Sequence, residues 1–410
     1  MRCEVGSGHT SPTRSVLPNP RSLSDTVALP CGAVLKNRIA KSAMSDSLGD
    51  GRGYPSDAQI ALYKVWAEGG AALSLVGEVQ GDPSKAEKPG NLVLRPERTD
   101  PRFEALARAG THKGSQLWLQ LGNAGAMAYR PIGTPKGPSN LDLDGLSCAA
   151  LTTHEISALP DQFAGTARLA QDLGFCGVEL HAAHGFLLSQ FLSPLFNKRG
   201  DAYGGSLRNR LRLTLEVAEA VRDAVGPRFP IGIKLNATDQ LAGGFTQDEA
   251  LLVVEALEKT SLDLIDISGG TYFPGAPSAS DGAGSGPYFL EFAKKARCLT
   301  GKPLMLTGGF KTLKQAQNAI DLDIDFVGLA RALILDPNLP NTWLGGGRQS
   351  PVFPRFDNPP EGGVTAWYTM RLTDLAEGNA VWGPESLIDD VKAYEARDAA
   401  RVKLWNETFH

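Results

Sequence analysis

Two histidines, His181 and His184, stand three residues apart in the stretch CGVELHAAHGFLLSQFL. Residues 176–181 before them are short and apolar with strand character, and Gly185 opens a turn or helix. Imidazoles at the end of a buried strand, on one turn of chain, can point at one oxygen. As N–H donors they would polarise a carbonyl or nitro group, or hold the negative charge that develops on it. A histidine taken singly is more often a satisfied core or surface residue, and a pair can be half of a metal site. His-x-x-His lacks the Glu and the i, i+4 spacing of a zinc protease, and no cluster of further ligands lies nearby. An oxygen-binding pair therefore ranks first, and no metal is expected.

Two other places carry chemistry. Thr307-Gly308-Gly309-Phe310 and Gly328-Leu329-Ala330-Arg331 each follow an apolar run. Glycines let a phosphate approach the backbone, and a guanidinium pairs with it bidentately. A lone Gly-Gly is explained by a turn alone; two such sites after late strands say more. Lys234 sits inside the apolar run IGIKLN. It is either a site cation or a lysine snorkelling from the end of its strand.

A site of this kind needs a scaffold that ends several strands in one place. Short apolar runs predict strands over residues 37–44, 71–79, 115–121, 176–181, 231–236, 264–268, 303–307 and 326–329. Helices are predicted over 57–68, 100–113, 153–173, 207–225, 246–259, 288–300 and 313–320, and Arg331 opens the last one. Pro160 is expected to interrupt the helix that contains it. Eight such alternations over roughly 300 residues predict a (β/α)8 TIM barrel, an α/β fold, with a short N-terminal hairpin at 25–36. A doubly wound sheet fits less well, because no G-x-G-x-x-G follows the first strand. Residues 1–24 read as a loose arm and 25–345 as the barrel. Residues 346–410 read as a C-terminal helical extension packed on the barrel or a partner subunit, with helices at 365–377 and 384–407. The segment 122–151 is too long for a plain connection and predicts a function or a small structure of its own.

The bulk numbers exclude several classes. A net charge of −4 gives no reason to expect nucleic acid or an anionic membrane as partner. No apolar run approaches the ~18 residues of a membrane span. The N-terminus lacks an apolar signal core, so secretion is not expected. Five scattered cysteines, without C-x-x-C, read as free thiols in a reducing compartment, hence cytoplasmic, and argue against an iron–sulfur cluster.

The stretch HAAHGFLLSQFLSP, followed by Asn197, Arg199, Asp201, Tyr203, Gly204, Gly205, Ser206, Asn209 and Arg210 as N-x-R-x-D-x-Y-G-G-S-x-x-N-R, resembles the signature of the old yellow enzyme family. The resemblance covers roughly residues 25–345. It implies a tightly bound, non-covalent FMN, NADH or NADPH as reductant, and an electron-poor alkene (enone, enal or nitroalkene) reduced in ping-pong order. It places His181 and His184 on the substrate oxygen, and Ala43, Met44 and Ser45 against the flavin. The backbone near Gly77 and Glu78 would meet the O4 side of the ring. Gln120 would bond the pyrimidine edge, and Lys234 would stand near N1 and O2. Gly308, Gly309, Ala330 and Arg331 match the family's phosphate positions.

The chain departs from the family at Phe186, where relatives carry the proton-donating tyrosine; a phenyl ring has no proton to give. Tyr272, then Tyr129, or water would have to serve. Gly122, Asn123 and Ser47 replace bulkier side chains and suggest a roomier pocket. The alternatives to an ene-reductase are an FMN dehydrogenase or demethylase running oxidatively, or a flavin-binding barrel without catalysis. Homo-oligomerisation is possible on this reading and is not fixed by it.

Overall fold

Eight parallel strands close on themselves in the computed structural model, which describes residues 21–143, 145–273, 286–379 and 386–410. They are β1 (Ile39–Lys41), β2 (Leu73–Gln80), β3 (Gln116–Leu121), β4 (Gly177–Ala182), β5 (Ile231–Asn236), β6 (Leu264–Ser268), β7 (Leu304–Thr307) and β8 (Phe326–Leu329). Each pairs in parallel with the next, and β8 returns to β1 through Val327↔Ile39. A doubly wound sheet would leave two edges open; here the ring is shut, and the fold is a (β/α)8 barrel.

The helices begin where short polar side chains satisfy free amides. Ser56, Asp100, Thr152, Ser206, Thr246 and Thr312 each accept a hydrogen bond from an amide of the first turn. They start α1 (Asp57–Glu68), α2 (Pro101–Gly110), α3 (Thr153–Asp172), α4 (Leu207–Val225), α5 (Gln247–Glu258) and, after α6 (Leu290–Arg297), α7 (Leu313–Asp321). The short α8 (Arg331–Leu335) follows β8. Pro160 does not interrupt α3, contrary to the expectation from sequence. Its missing N–H costs one hydrogen bond, but Ile156, Leu159 and Phe163 on the same helix are buried, and that apolar stripe outweighs the loss.

One cluster fills the end of the barrel remote from the histidines. Trp118 packs there with Leu73, Leu75, Leu264, Met305 and Phe326. The hairpin formed by Val27–Ala28 and Val34–Leu35 adds Val27, Leu29 and Leu35. Residues 21–24 are not a loose arm: Leu23 is buried, and Arg21 binds Asp323 at 3.0 Å and also Asp325. Residues 1–20 lie outside the described residues.

The segment after β3 carries a three-stranded sheet of its own, Lys136–Gly137, Leu141–Leu143 and Leu146–Ala150. Beyond α8 and a short helix at Leu339–Leu344, α9 (Gly363–Ala376) packs on α1. The last helix, α10 (Leu387–Phe409), lies on loops of the same chain. No helix among the described residues is long and apolar enough to cross a membrane.

Candidate active site

Strand β4 ends at Ala182, and after Ala183 two residues go left-handed: φ is 58° at His184 and 82° at Gly185. Only glycine takes that conformation freely, so His184 needs outside support. Asn236, at the end of β5, provides it. Its Oδ1 accepts the His184 amide at 3.0 Å, while its Nδ2 donates to Gly270 O at 2.8 Å and Asp239 Oδ1 at 3.1 Å. Ser268, at the end of β6, meets His184 Nε2 at 2.9 Å. The rings of His181 and His184 stand edge to face with centroids 5.3 Å apart. Burial drives both imidazoles to the neutral form. The Lys234 charge adds to this, and His184 falls to about 3. His181 keeps a buried Nδ1 with no hydrogen-bond partner among the described residues.

Phe186 stacks on His181, centroids 4.3 Å apart, in an apolar pocket with Ala124 and Ala128. Tyr272 stands on the other side, its ring 5.4 Å from that of His184 and its amide donating to His184 O at 3.1 Å. The residue is 64% exposed. Even so, the walls of the barrel mouth, and then the Glu87 and Glu78 carboxyls, hold its phenol above the usual range. Tyr129 belongs elsewhere, in the cluster of Ile132 and Trp405 beneath α10. Residues 274–285 of the loop after β6 lie outside the described residues.

Below the histidines a polar network crosses five strands, β3 to β7. Lys234 Nζ binds Asp266 and lies 3.8 Å from Glu179 Oε1. Gln120 Nε2 donates to the same Glu179 oxygen at 2.7 Å, and Thr307 Oγ1 donates to Asp266 Oδ1 at 2.7 Å. Lys234 is thus an internal ion-pair partner as well as a candidate flavin cation. Glu179 and Asp266 escaped sequence reasoning, although each is an acid inside a short apolar strand, the signal that marked Lys234.

Ala43, Met44 and Ser45 cross Gly77, where any Cβ would strike the Met44 carbonyl. Ser47 does not open the pocket as the sequence suggested. It is buried at φ 52°, and Arg401 of α10 donates to its carbonyl at 2.5 Å. Nothing in the sequence signals Arg401. Beside Gly122 there is room, the nearest foreign atom to a Cβ there being Phe186 Cδ1 at 3.9 Å.

At the far wall, Gly308 and Gly309 have φ of 110° and 82°, and their amides carry no hydrogen bond among the described residues. Ala330 and Arg331 follow on β8. The Arg331 guanidinium lies 5.4 Å over the Tyr368 ring and forms no salt bridge among the described residues. Among the described residues, groups without a hydrogen bond here include the Gly308 and Gly309 amides, His181 Nδ1 and Glu179 Oε2, and the Arg331 guanidinium has no salt bridge. Donors suited to a phosphate and a polar floor fit the chemistry of a flavin mononucleotide.

Barrel and site together define a flavin-dependent oxidoreductase scaffold. Residues 31–346 match the NADH:flavin oxidoreductase / NADH oxidase family, and the chain belongs to it. Membership brings FMN as cofactor and NADH or NADPH as electron source. The NADH-dependent flavin oxidoreductase iliE of Neonectria sp. (strain DH2) is 34% identical over 355 residues, which is 77% of this chain and 46% of that one. The NADH-dependent flavin oxidoreductase iccE of Talaromyces variabilis is 33% identical over 78% of this chain and 86% of its own. The chain thus spans about half of the Neonectria relative and most of the Talaromyces one. The old yellow enzyme homologue of Zymomonas mobilis shares the fold, with TM-score 0.70, 23% identity, and 85% of this chain against 99% of that one.

Proposed function

We propose that the chain is an NAD(P)H-dependent reductase of electron-poor alkenes, and that the neutral pair His181 and His184 is the observation that carries this reading. When bound, FMN supplies the hydride relay from the nicotinamide to the β-carbon of the alkene. The protein's part is positioning and polarisation. Each neutral imidazole has one N–H to give. Ser268 occupies one nitrogen of His184, so the other is left for substrate, and His181 Nδ1 has no partner among the described residues. Donors held ready in a dry site stabilise the enolate-like oxygen without reorganisation. Arg331 and the Gly308 and Gly309 amides hold the phosphate. Gln120 and Lys234 face the pyrimidine edge, and Ala43, Met44, Ser45 and the backbone at Glu78 line the ring.

The α-carbon proton comes from Tyr272 or from water. Tyr272 adjoins His184, and its phenol stays protonated at neutral pH. A second reading, oxidation of a substrate that needs no such proton, has Phe186 in its favour. Four free cysteines among the described residues agree with a reducing cytoplasm.

Stopped-flow mixing decides among these. NADH or NADPH should bleach the flavin band, and 2-cyclohexenone should restore it. Replacing both histidines by alanine should slow that restoration by about 10²-fold or more. A flavin that bleaches but does not return with any enone, enal or nitroalkene would remove the alkene reading and leave the oxidative one. Tyr272→Phe with an undiminished reoxidation rate would assign the proton to water.

A further inference from the structure

The cation assigned to the phosphate has no counter-ion of its own. Strands β7 and β8 end side by side, with Thr307 paired to Gly328, so Gly308 and Arg331 leave the barrel at the same edge. Arg331 is half-buried, yet its guanidinium forms no salt bridge or hydrogen bond among the described residues. What it meets is a ring, the centroid of Tyr368 lying 5.4 Å from its central carbon.

Tyr368 stands on α9, in the segment beyond residue 346 that the family match does not cover. It is buried, and other rings fix its place. Trp367 stands edge-on to it with centroids 4.9 Å apart, and Phe356 stands edge-on to Trp367 at 5.5 Å. Burial raises the Tyr368 phenol, so it stays neutral and meets Arg331 as a π face, not as an anion.

Another arginine, one turn further along α9, shows what this contact avoids. Arg371 also lies on a ring, 5.3 Å from Trp367, but Asp374 takes its Nη1 at 2.8 Å and Asp390 its Nη2 at 2.9 Å. Carboxylates fill that fork and cancel its charge. At Arg331 they would leave nothing for a phosphate. A ring attracts the cation through its face and uses none of the N–H donors, so the fork stays open to a bidentate anion. The end of β7 repeats the arrangement: Lys311 Nζ, two residues past Gly309, lies 5.3 Å over Phe353, again beyond residue 346, and has no salt bridge among the described residues.

We propose that Tyr368 is a positioning residue for the cofactor phosphate. Its ring holds the Arg331 guanidinium at the wall without neutralising it, and so gives the C-terminal segment a share in the preference for FMN over riboflavin. Riboflavin carries the same ring system and no phosphate, so an effect relayed through Arg331 must appear with FMN and vanish with riboflavin. A tyrosine that only props up the fold would change both alike.

The inference rests on the phosphate assignment proposed above and not on the alkene. The test is therefore equilibrium binding of FMN and of riboflavin to the full chain after its flavin is removed, read by flavin fluorescence. Tyr368→Leu should raise the Kd for FMN by about 5- to 30-fold, the size of a desolvated cation–π contact, and leave riboflavin unchanged. Tyr368→Phe keeps the π face and should bind FMN as wild type does. In an Arg331→Ala background Tyr368→Leu should have no further effect on FMN, because the contact is already gone. If Tyr368→Leu weakens both flavins equally, or neither, the proposal is overturned while the phosphate wall stands. A wild type that binds FMN and riboflavin alike overturns the proposal together with the phosphate assignment. Should Tyr368→Leu not fold, fluorinated phenylalanines at position 368 decide. They keep the shape of the ring and weaken its face, so FMN affinity should fall stepwise with fluorination, and a flat series overturns the proposal.

Discussion

In the proposed function the histidine pair works by being uncharged, and that has a sign that can be tested. Burial, with Lys234 nearby, lowers both imidazoles, His184 to about 3 against an ordinary value near 6.5. A base lowered in this way gains its proton only when pH falls through the lower value. Reoxidation by saturating enone should therefore show no inflection near pH 6.5; such an inflection would mean that a charged imidazole does the work. The same shift governs stability. Between about pH 6.5 and 3 the unfolded chain binds protons that the folded chain refuses. Stability is fully present above that window and declines as pH falls through it. His184→Gln should flatten part of the decline in acid-denaturation midpoints. Asn236 controls the pair from outside. Asn236→Ala strips partners from the His184 amide and the Gly270 carbonyl, and should cost about 1–3 kcal/mol in urea unfolding. It should also raise KM for the enone, because a left-handed His184 no longer has its tether. Unchanged KM would show that φ 58° is held by the turn alone.

Among the elements, β3, β4 and β5 are fitted around one side chain. Gly177 of β4 and Gly232 of β5 face Trp118 of β3, and a Cβ on Gly177 would lie 2.6 Å from the indole. Gly177→Ala overpacks a buried ring between strands that cannot separate, and should lower stability by about 1–3 kcal/mol. Asp266→Asn leaves Lys234 charged in the barrel with its best partner gone, and should cost about 3–5 kcal/mol. Thermal or urea unfolding reads both, and a neutral result for Asp266→Asn would mean that Glu179 suffices. What sequence could and could not show follows the same division. Helix 207–225 and strands 231–236 and 326–329 have the bounds predicted for them, because caps and apolar runs are local signals. The partners of Lys234 come from β4 and β6, and no local pattern announces a contact across that distance. The signature residues were legible as a family mark, yet several of them are scaffold. Asn197 Nδ2 ties Phe191 O at 2.8 Å to Tyr203 O at 2.7 Å, and Arg199 Nη1 holds Pro138 O and Leu151 O at 2.8 and 2.7 Å. They fix the turn behind the histidines and the sheet after β3.

Taken whole, the molecule carries a segment that the family match does not reach, since that match ends at residue 346. Its last helix fastens loops at the end of the barrel where the histidine pair stands. Arg401 donates to Ser47 O, Asn406 Nδ2 donates to Pro131 O at 3.1 Å, and Thr408 O accepts Arg98 Nη1 at 3.2 Å. These partners lie after β1, β3 and β2, so three loops at one end of the barrel are held by one helix. Trp405 is the anchor, fully buried against Ala86, Val93 and Ile132. Trp405→Ala removes that ring from a closed pocket and should destabilise the fold by about 3–5 kcal/mol if helix and barrel unfold together. If they separate, the loss falls on the helix alone. Limited proteolysis would then cut within residues 386–410 while the barrel keeps its melting temperature, and FMN would be released more readily as Ser45 and Ser47 lose their backing. Either outcome makes the extension part of the site's architecture. Wild-type FMN affinity and protease resistance in Trp405→Ala would show instead that β1, β2 and β3 hold their loops without it.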